Sequence, residues 1–196
     1  MSTLAEIAIY VIRTLGSLYL LLVMLRFLFQ LVRADFYNPV SQTIAKATNP
    51  LLLPLRKVIP GFFGIDLASL ILGLLVQALV IQIIFFIVGY GFVGVFNLLA
   101  WAFVGILATF ASIYFWGLII VIIASWIAPF SHNPALVLVR QIVEPAMAPL
   151  RKIIPPLGVI DLSPIVAFMI LHIINRYLIA AIAQSVNMPS GLVLGL

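Results

Sequence analysis

The chain has 196 residues, 65% of them apolar and 8% charged, with ten Lys/Arg against five Asp/Glu, a net charge of +5 and no cysteine. Ordinary globular domains run near half apolar and a quarter charged, so a soluble domain of this size is excluded; disulfides, thiolate metal sites and a cysteine nucleophile fall with the missing cysteine. Excess positive charge in so apolar a chain belongs to orientation and to anionic lipid headgroups, and no water-exposed stretch is long enough for a nucleic-acid footprint.

The first predicted span covers roughly residues 4–31. It reads as a retained span, because Glu6 stands where a leader has a basic cluster, Arg13 interrupts the apolar run, and no small-x-small site follows. Arg13 and Arg26 leave 12 uncharged residues between them. Twelve residues rise ~18 Å, short of the ~30 Å hydrocarbon core, so one arginine lies inside it or snorkels out. Arg26, close to Arg33, is expected to reach the headgroups; Arg13 is the deeper.

A connector follows over 33–66. Asn38-Pro39 matches a helix start, an Asn cap with Pro at the first helical position, and Val40, Ile44 and Ala47 trace a weak apolar stripe. Pro50 is expected to end this helix. Next comes the box Pro54-Leu-Arg56-Lys57-Val-Ile-Pro60, whose prolines are expected to keep it out of a continuous helix. Arg56 and Lys57 read as anchors on anionic lipid, or as part of a paired basic site for an anionic partner. Asp66 stands before an apolar run and reads as an N-cap, with a cation or proton site as the alternative.

The second span, 67–88, carries Gln77, and Gly89–Gly94 is a Gly-rich turn. A helix over 95–130 would measure ~54 Å, longer than a bilayer needs. The turn is therefore expected to extend toward Asn97, with a break or tilt near Gly105, leaving a third span at 99–127; a short re-entrant piece in 92–108 is the alternative. Between Asp66 and Arg140 stand 73 residues without Lys, Arg, Asp or Glu, room for two crossings at ~20 residues each.

The second connector, 130–161, repeats the first. Asn133-Pro134 opens a helix with Arg140, Gln141 and Glu144 on one side and Leu136, Val139 and Val143 on the other, suited to the headgroup plane. Pro145 is expected to stop it, and Pro149-Leu-Arg151-Lys152 and Pro155 complete the second box. Asp161 reads as the N-cap of a fourth span, 162–183, with Ser163-Pro164 in its first turn. That span carries His172, Asn175 and Arg176 on one face, Arg176 near the depth of Arg13. Polar groups there are functional candidates or bonds between helices.

A shift of 95 residues aligns 38–69 with 133–164 without a gap, giving twelve identities in thirty-two positions, prolines and the Arg-Lys pair among them. The expected architecture is thus an all-α membrane protein built as a tandem duplication of span, connector, span: a first repeat over 1–94 and a second over 95–196. Two crossings per repeat give both the same orientation, around a pseudo-two-fold axis along the membrane normal. In that register His172 corresponds to Gln77, so both are expected near mid-membrane around the axis. Seven of the ten basic residues fall in the connectors, which places these in the cytoplasm and both termini outside.

The doubled pattern resembles the YggT (YlmG) family of small bacterial and plastid membrane proteins. It is carried in full by Asn133-Pro134, Glu144-Pro145, Pro149-Leu-Arg151, Ile154-Pro155 and Asp161-Leu-Ser163-Pro164, over nearly the whole chain and in the two-repeat proteobacterial form. In the first repeat Asn49 replaces the acidic residue and Ala68-Ser69 replaces Ser-Pro. The resemblance implies a multi-pass inner-membrane protein linked to osmotic-stress tolerance and cation uptake, to nucleoid and division organisation, or to cytochrome maturation in plastids. No catalytic constellation, metal set or cofactor motif is legible. The expectation is a non-catalytic scaffold, assembly or stress-tolerance factor, partnered by lipid, other membrane proteins or its own copies; the alternative is a cation or solute path between repeats or in a homo-oligomer.

Overall fold

A computed structural model of the chain describes residues 2–61, 64–128, 130–154 and 162–189. The architecture is all-α: α1 (Thr3–Leu31), α2 (Pro39–Val58), α3 (Leu67–Val88), α4 (Val95–Ile127), α5 (Pro134–Ile153), then α6 (Ser163–Ile173) and α7 (Ala180–Ser185) joined through a π-helical turn, Ile174–Ile179. Among the described residues, four helical stretches are long and apolar enough to cross a membrane: α1, α3, α4 and the continuous run Ser163–Ser185.

Helix α1 begins at Ser2, whose hydroxyl accepts from the Ala5 amide, with Glu6 in the first turn. It ends in a Schellman closure: the Ala34 amide donates to Phe29 O at 2.8 Å and the Arg33 amide to Gln30 O at 3.2 Å. That closure sets Arg33 at φ +52°, a conformation glycine takes without cost and arginine does not. At the opposite end of the bundle, Gly89 (φ +90°) closes α3. The Gln82 amide staples the turn there, donating to Gly91 O and accepting from the Val93 amide.

The core lies between α1, α3 and α4, where Leu20, Met24, Val80, Ile81 and Trp101 pack together. Without a hydrophobic force between helices in lipid, close approach through small residues holds such seams. A Cβ on Gly73 would lie 2.4 Å from Met24 Cε, and one on Gly16 2.5 Å from Val80 Cγ2. The two connector helices run under the bundle side by side. Asn38 Nδ2 donates to Pro134 O at 2.9 Å, tying the start of α2 to the start of α5.

Several expectations fail here. Pro50 and Pro145 do not stop their helices: α2 runs through Pro50 and Pro54, and α5 through Pro145 and Pro149. Each interior proline removes one backbone donor and costs about 3 kcal/mol in isolation. Spaced four apart, however, they share the exposed face, so the stranded carbonyls open outward while the opposite face packs. The packed face of α2 is rotated from the expected stripe: it is Ser41, Ile44, Ala45, Thr48 and Leu52, which keeps Ile44 but leaves Ala47 exposed. In α5 the expected Leu136 and Val143 are buried, joined by Leu138, Ile142 and Met147, with Val139 packed at the edge.

Helix α4 is continuous from Val95, four residues before the expected start, with neither a break at Gly105 nor a re-entrant piece. Gly105 is there for a different reason. The Gln77 side chain lies on its backbone, and a Cβ would sit 2.2 Å from Gln77 Nε2. The fourth span is one helical run, but its hydrogen bonding widens to a π turn that includes Asn175 and Arg176, a local irregularity the apolar periodicity did not signal.

Candidate functional site

A group of polar residues, Arg26, Gln30, Thr48, Asn49, Arg56, Asp66 and Ser69, is linked by hydrogen bonds where α1, α2 and α3 meet at the connector end. Asp66 occupies the N-cap position of α3, as expected, with the Ser69 amide helping to hold its charge. Its carboxylate accepts from Arg56 Nη2 at 2.5 Å and from the Ser69 hydroxyl. The Asp66 side chain is 4% exposed and that of Arg56 35%. Burial alone would raise the Asp66 carboxyl. The hydrogen bonds from Arg56 and Ser69, and the attraction of the guanidinium, outweigh it and hold the group below the usual carboxylate range. Besides holding the cap position, Asp66 forms an ion pair that clamps the end of α2 onto the start of α3. Arg56 also donates to Gln30 Oε1 at 3.0 Å, which adds α1 to the clamp.

Arg26 does not snorkel away from the bundle toward headgroups. Its Nη1 donates to Ala45 O at 2.9 Å, Thr48 Oγ1 at 2.6 Å and Asn49 Oδ1 at 2.7 Å. Asn49, the residue that departs from the acidic pattern, is thus an acceptor for an arginine from α1. Thr48 is fully buried and passes its own proton to Ile44 O. Among the described residues the hydrogen-bond acceptors of Arg26 are all neutral oxygens.

The second connector spends its charges differently. Arg151 pairs with Glu144 on the exposed face of α5, its Nη1 donating to both carboxylate oxygens at 2.8 and 2.9 Å. Lys57 and Lys152 are exposed and Arg140 is half-buried. Asn38 and Asn133 cap α2 and α5 as expected, accepting from the Val40 and Ala135 amides at 2.9 Å, and Pro39 and Pro134 take the first helical positions. Pro60 follows α2 outside the helix. Asp161 and Pro155 lie outside the described residues. Ser163 is buried in the first turn of α6 beside Pro164.

Within the spans, Gln77 and His172 are not brought together. Gln77 is fully buried, and neither its Oε1 nor its Nε2 has a hydrogen-bond partner among the described residues. It is a packing group against Gly105, not a hydrogen-bonding link between helices. His172 and Arg176 lie on the exposed face of the fourth span, Asn175 is half-buried, and Arg13 on α1 is half-buried.

Sequence reasoning did not single out Gln30, Ser41 and Thr48, and met Asn49 and Ser69 only as departures from the repeat pattern. Thr48 carried a usable signal: a polar residue inside an amphipathic helix needs a partner where it is buried.

These features define a small multi-pass membrane protein of four apolar spans with a group of polar side chains linked at one end of the bundle, around two connector helices. Comparison with known proteins gives the family. The CCB3/YggT family model matches residues 5–89 and 100–182, and the chain belongs to that family. It is similar to an uncharacterized protein of Pseudomonas aeruginosa, 52% identical over 186 residues covering 94% of each chain. It is also similar to an uncharacterized Vibrio alginolyticus protein, 37% identical over 167 residues (85% of this chain, 90% of the relative). The uncharacterized protein YggT of Escherichia coli K12 is 31% identical over 180 residues, 91% of this chain and 93% of the relative. No solved structure matches.

Proposed function

We propose that the chain is a non-catalytic scaffold of the bacterial inner membrane that holds other membrane proteins, or further copies of itself, along its fourth span. One observation carries this reading. The run Ser163–Ser185 has 11% of its most apolar window buried, against 17% for α1 and 39% for α3 and for α4, and unlike α1, whose Arg13 is half-buried, it bears a histidine and an arginine, His172 and Arg176, on its exposed face. Arg176 stands thirteen residues, ~20 Å, from the start of the span. An arginine at such depth costs about 3 kcal/mol or more when lipid surrounds it, and a protein surface supplying an acceptor removes that cost. An envelope-organising or osmotic-stress role fits a scaffold of this kind.

In this reading the connectors face the cytoplasm and the termini the periplasm, because the connector segments hold Arg33, Lys46, Arg56, Lys57, Arg140, Arg151 and Lys152. Helix α5 begins and ends 95 residues after α2 (39 to 134, 58 to 153), in keeping with a tandem duplication whose halves share one orientation. The competing reading is a cation path between the halves. Against it, the seam between α1, α3 and α4 is filled by Leu20, Met24, Ile81 and Ile106, and the 430 Å³ cavity between α1, α4 and α5 is lined mostly by apolar side chains.

The natural chain has no cysteine, so a single His172→Cys substitution gives a clean crosslinking position. In membranes it should form one discrete adduct, with a partner or a second copy, while a cysteine at the buried position of Leu20 should form none. Absence of any adduct from position 172, together with potassium flux in liposomes of the pure protein, would replace the scaffold by the pathway.

A further inference from the structure

A cavity of about 350 Å³ opens at the connector end, lined by Arg26, Phe29, Arg33, Ser41, Ala45 and Arg56 among others. Three guanidinium-bearing residues of a chain with ten basic residues border this one space. The anionic charge nearby is small. Asp66 is engaged by Arg56 and Ser69, and Asp35 turns its carboxylate to the Tyr37 amide at 2.8 Å; neither lines the cavity. Counting Arg26, Arg33 and Arg56 against Asp66 and Asp35, three less two leaves a net positive charge of one among the described residues around the cavity.

Two further observations point to an occupant. Ser41 is 7% exposed, and its hydroxyl, buried at the cavity wall, has no hydrogen-bond partner among the described residues. A buried hydroxyl left unpaired costs about 1–3 kcal/mol and is retained where something else completes it. Arg33 is held at φ +52°, where glycine would relieve the backbone; its guanidinium likewise makes no hydrogen bond among the described residues. The 95-residue register places Val121, Ala128 and Leu136 where the first half has Arg26, Arg33 and Ser41, so the second connector has no equivalent set.

We propose that this cavity is a binding site for one phosphate group, carried by an anionic phospholipid headgroup or by a soluble phosphate ester. Arg33 and the free donors of Arg26 and Arg56 hold the anionic oxygens, and the Ser41 hydroxyl donates to one of them. The site goes beyond the scaffold reading and stands whether the chain scaffolds or conducts.

The test uses the full chain in maltoside micelles, which contain no phosphate. Phosphatidylglycerol or inorganic phosphate is titrated, with melting temperature and retained lipid by native mass spectrometry as readouts. One of the two should raise the melting temperature saturably. Protection by the lipid alone assigns a headgroup, and protection by phosphate alone a soluble ester. Arg33→Gly and Ser41→Ala should each weaken the midpoint about tenfold or more. Both should fold, since the first relaxes a left-handed residue and the second deletes an unpartnered hydroxyl. Lys57→Ala, outside the cavity, should change the midpoint less than about twofold. No protection by either ligand, or equal loss from Lys57→Ala and Arg33→Gly, overturns the site in favour of diffuse attraction.

Discussion

Replacing Arg56 by alanine tests the clamp at the connector end most directly. The substitution leaves the Asp66 carboxylate, 4% exposed, with the Ser69 hydroxyl as its remaining side-chain donor. Removing one member of a buried ion pair costs about 3–5 kcal/mol. Because Arg56 is 35% exposed, solvent screens part of the attraction, and about 2–3 kcal/mol is the expected loss, roughly 5–10 °C in a chain of this size. The pH response gives the sharper signature. In the natural chain the folded Asp66 carboxyl lies below its ordinary value. Its stabilisation is therefore complete above about pH 4 and is lost only as pH falls through the depressed folded value. In Arg56→Ala, burial is no longer outweighed and the carboxyl moves up, so protonation relieves the fold. That variant should gain stability between pH 7 and pH 5, where the natural chain stays flat. Adding Asp66→Asn should recover part of the loss and abolish the slope. Thermal unfolding in detergent across that range is the assay. An Arg56→Ala variant with unchanged melting temperature and a flat profile would refute the ion-pair argument.

Gln77→Met exchanges an unpartnered buried amide for an apolar side chain of similar length. It should raise stability by about 1–2 kcal/mol; a fall would reveal a polar partner at that position. Gly105→Ala drives a methyl into the Gln77 side chain and should cost about 1–3 kcal/mol, with partial rescue by Gln77→Ala in the double variant. Asn38→Ala removes both a cap and the bond to Pro134, and should cost about 1 kcal/mol more than Asn133→Ala, whose side-chain carbonyl serves its own cap; equal losses would deny the bond between connectors. Pro50→Ala should leave the register of α2 unchanged and raise stability, read as a higher melting temperature, because the helix already passes through that position.

The connector prolines show why part of the fold was illegible. Read locally, Pro50 and Pro145 are stop signals, and the physics behind that reading is sound: a lost donor and a clash with the preceding turn. The burial of Leu52 and Met147 beyond them supplies what local reasoning cannot see, a packed face that keeps the helix intact while the defects open outward. Gly105 teaches the same lesson in reverse. A glycine inside an over-long apolar run suggested a break, and it serves as the floor for a glutamine from a neighbouring helix. Arg26 was assigned to lipid from depth alone. Its acceptors, Ala45, Thr48 and Asn49, come from a helix whose rotation the weak stripe Val40, Ile44 and Ala47 does not fix: Ile44 packs inward while Ala47 is exposed.

Composition and motifs sufficed for the membrane, the spans, the connector caps and the family, because hydrocarbon thickness and backbone hydrogen bonding leave a long uncharged run almost no freedom. Which polar side chains meet became visible once the helices were packed. Partners such as Arg56 with Asp66, or Asn38 with Pro134, depend on the rotation of each helix about its axis. That rotation is set by close packing at Gly16, Gly73 and Gly105, in spans so uniformly apolar that no face is marked in advance.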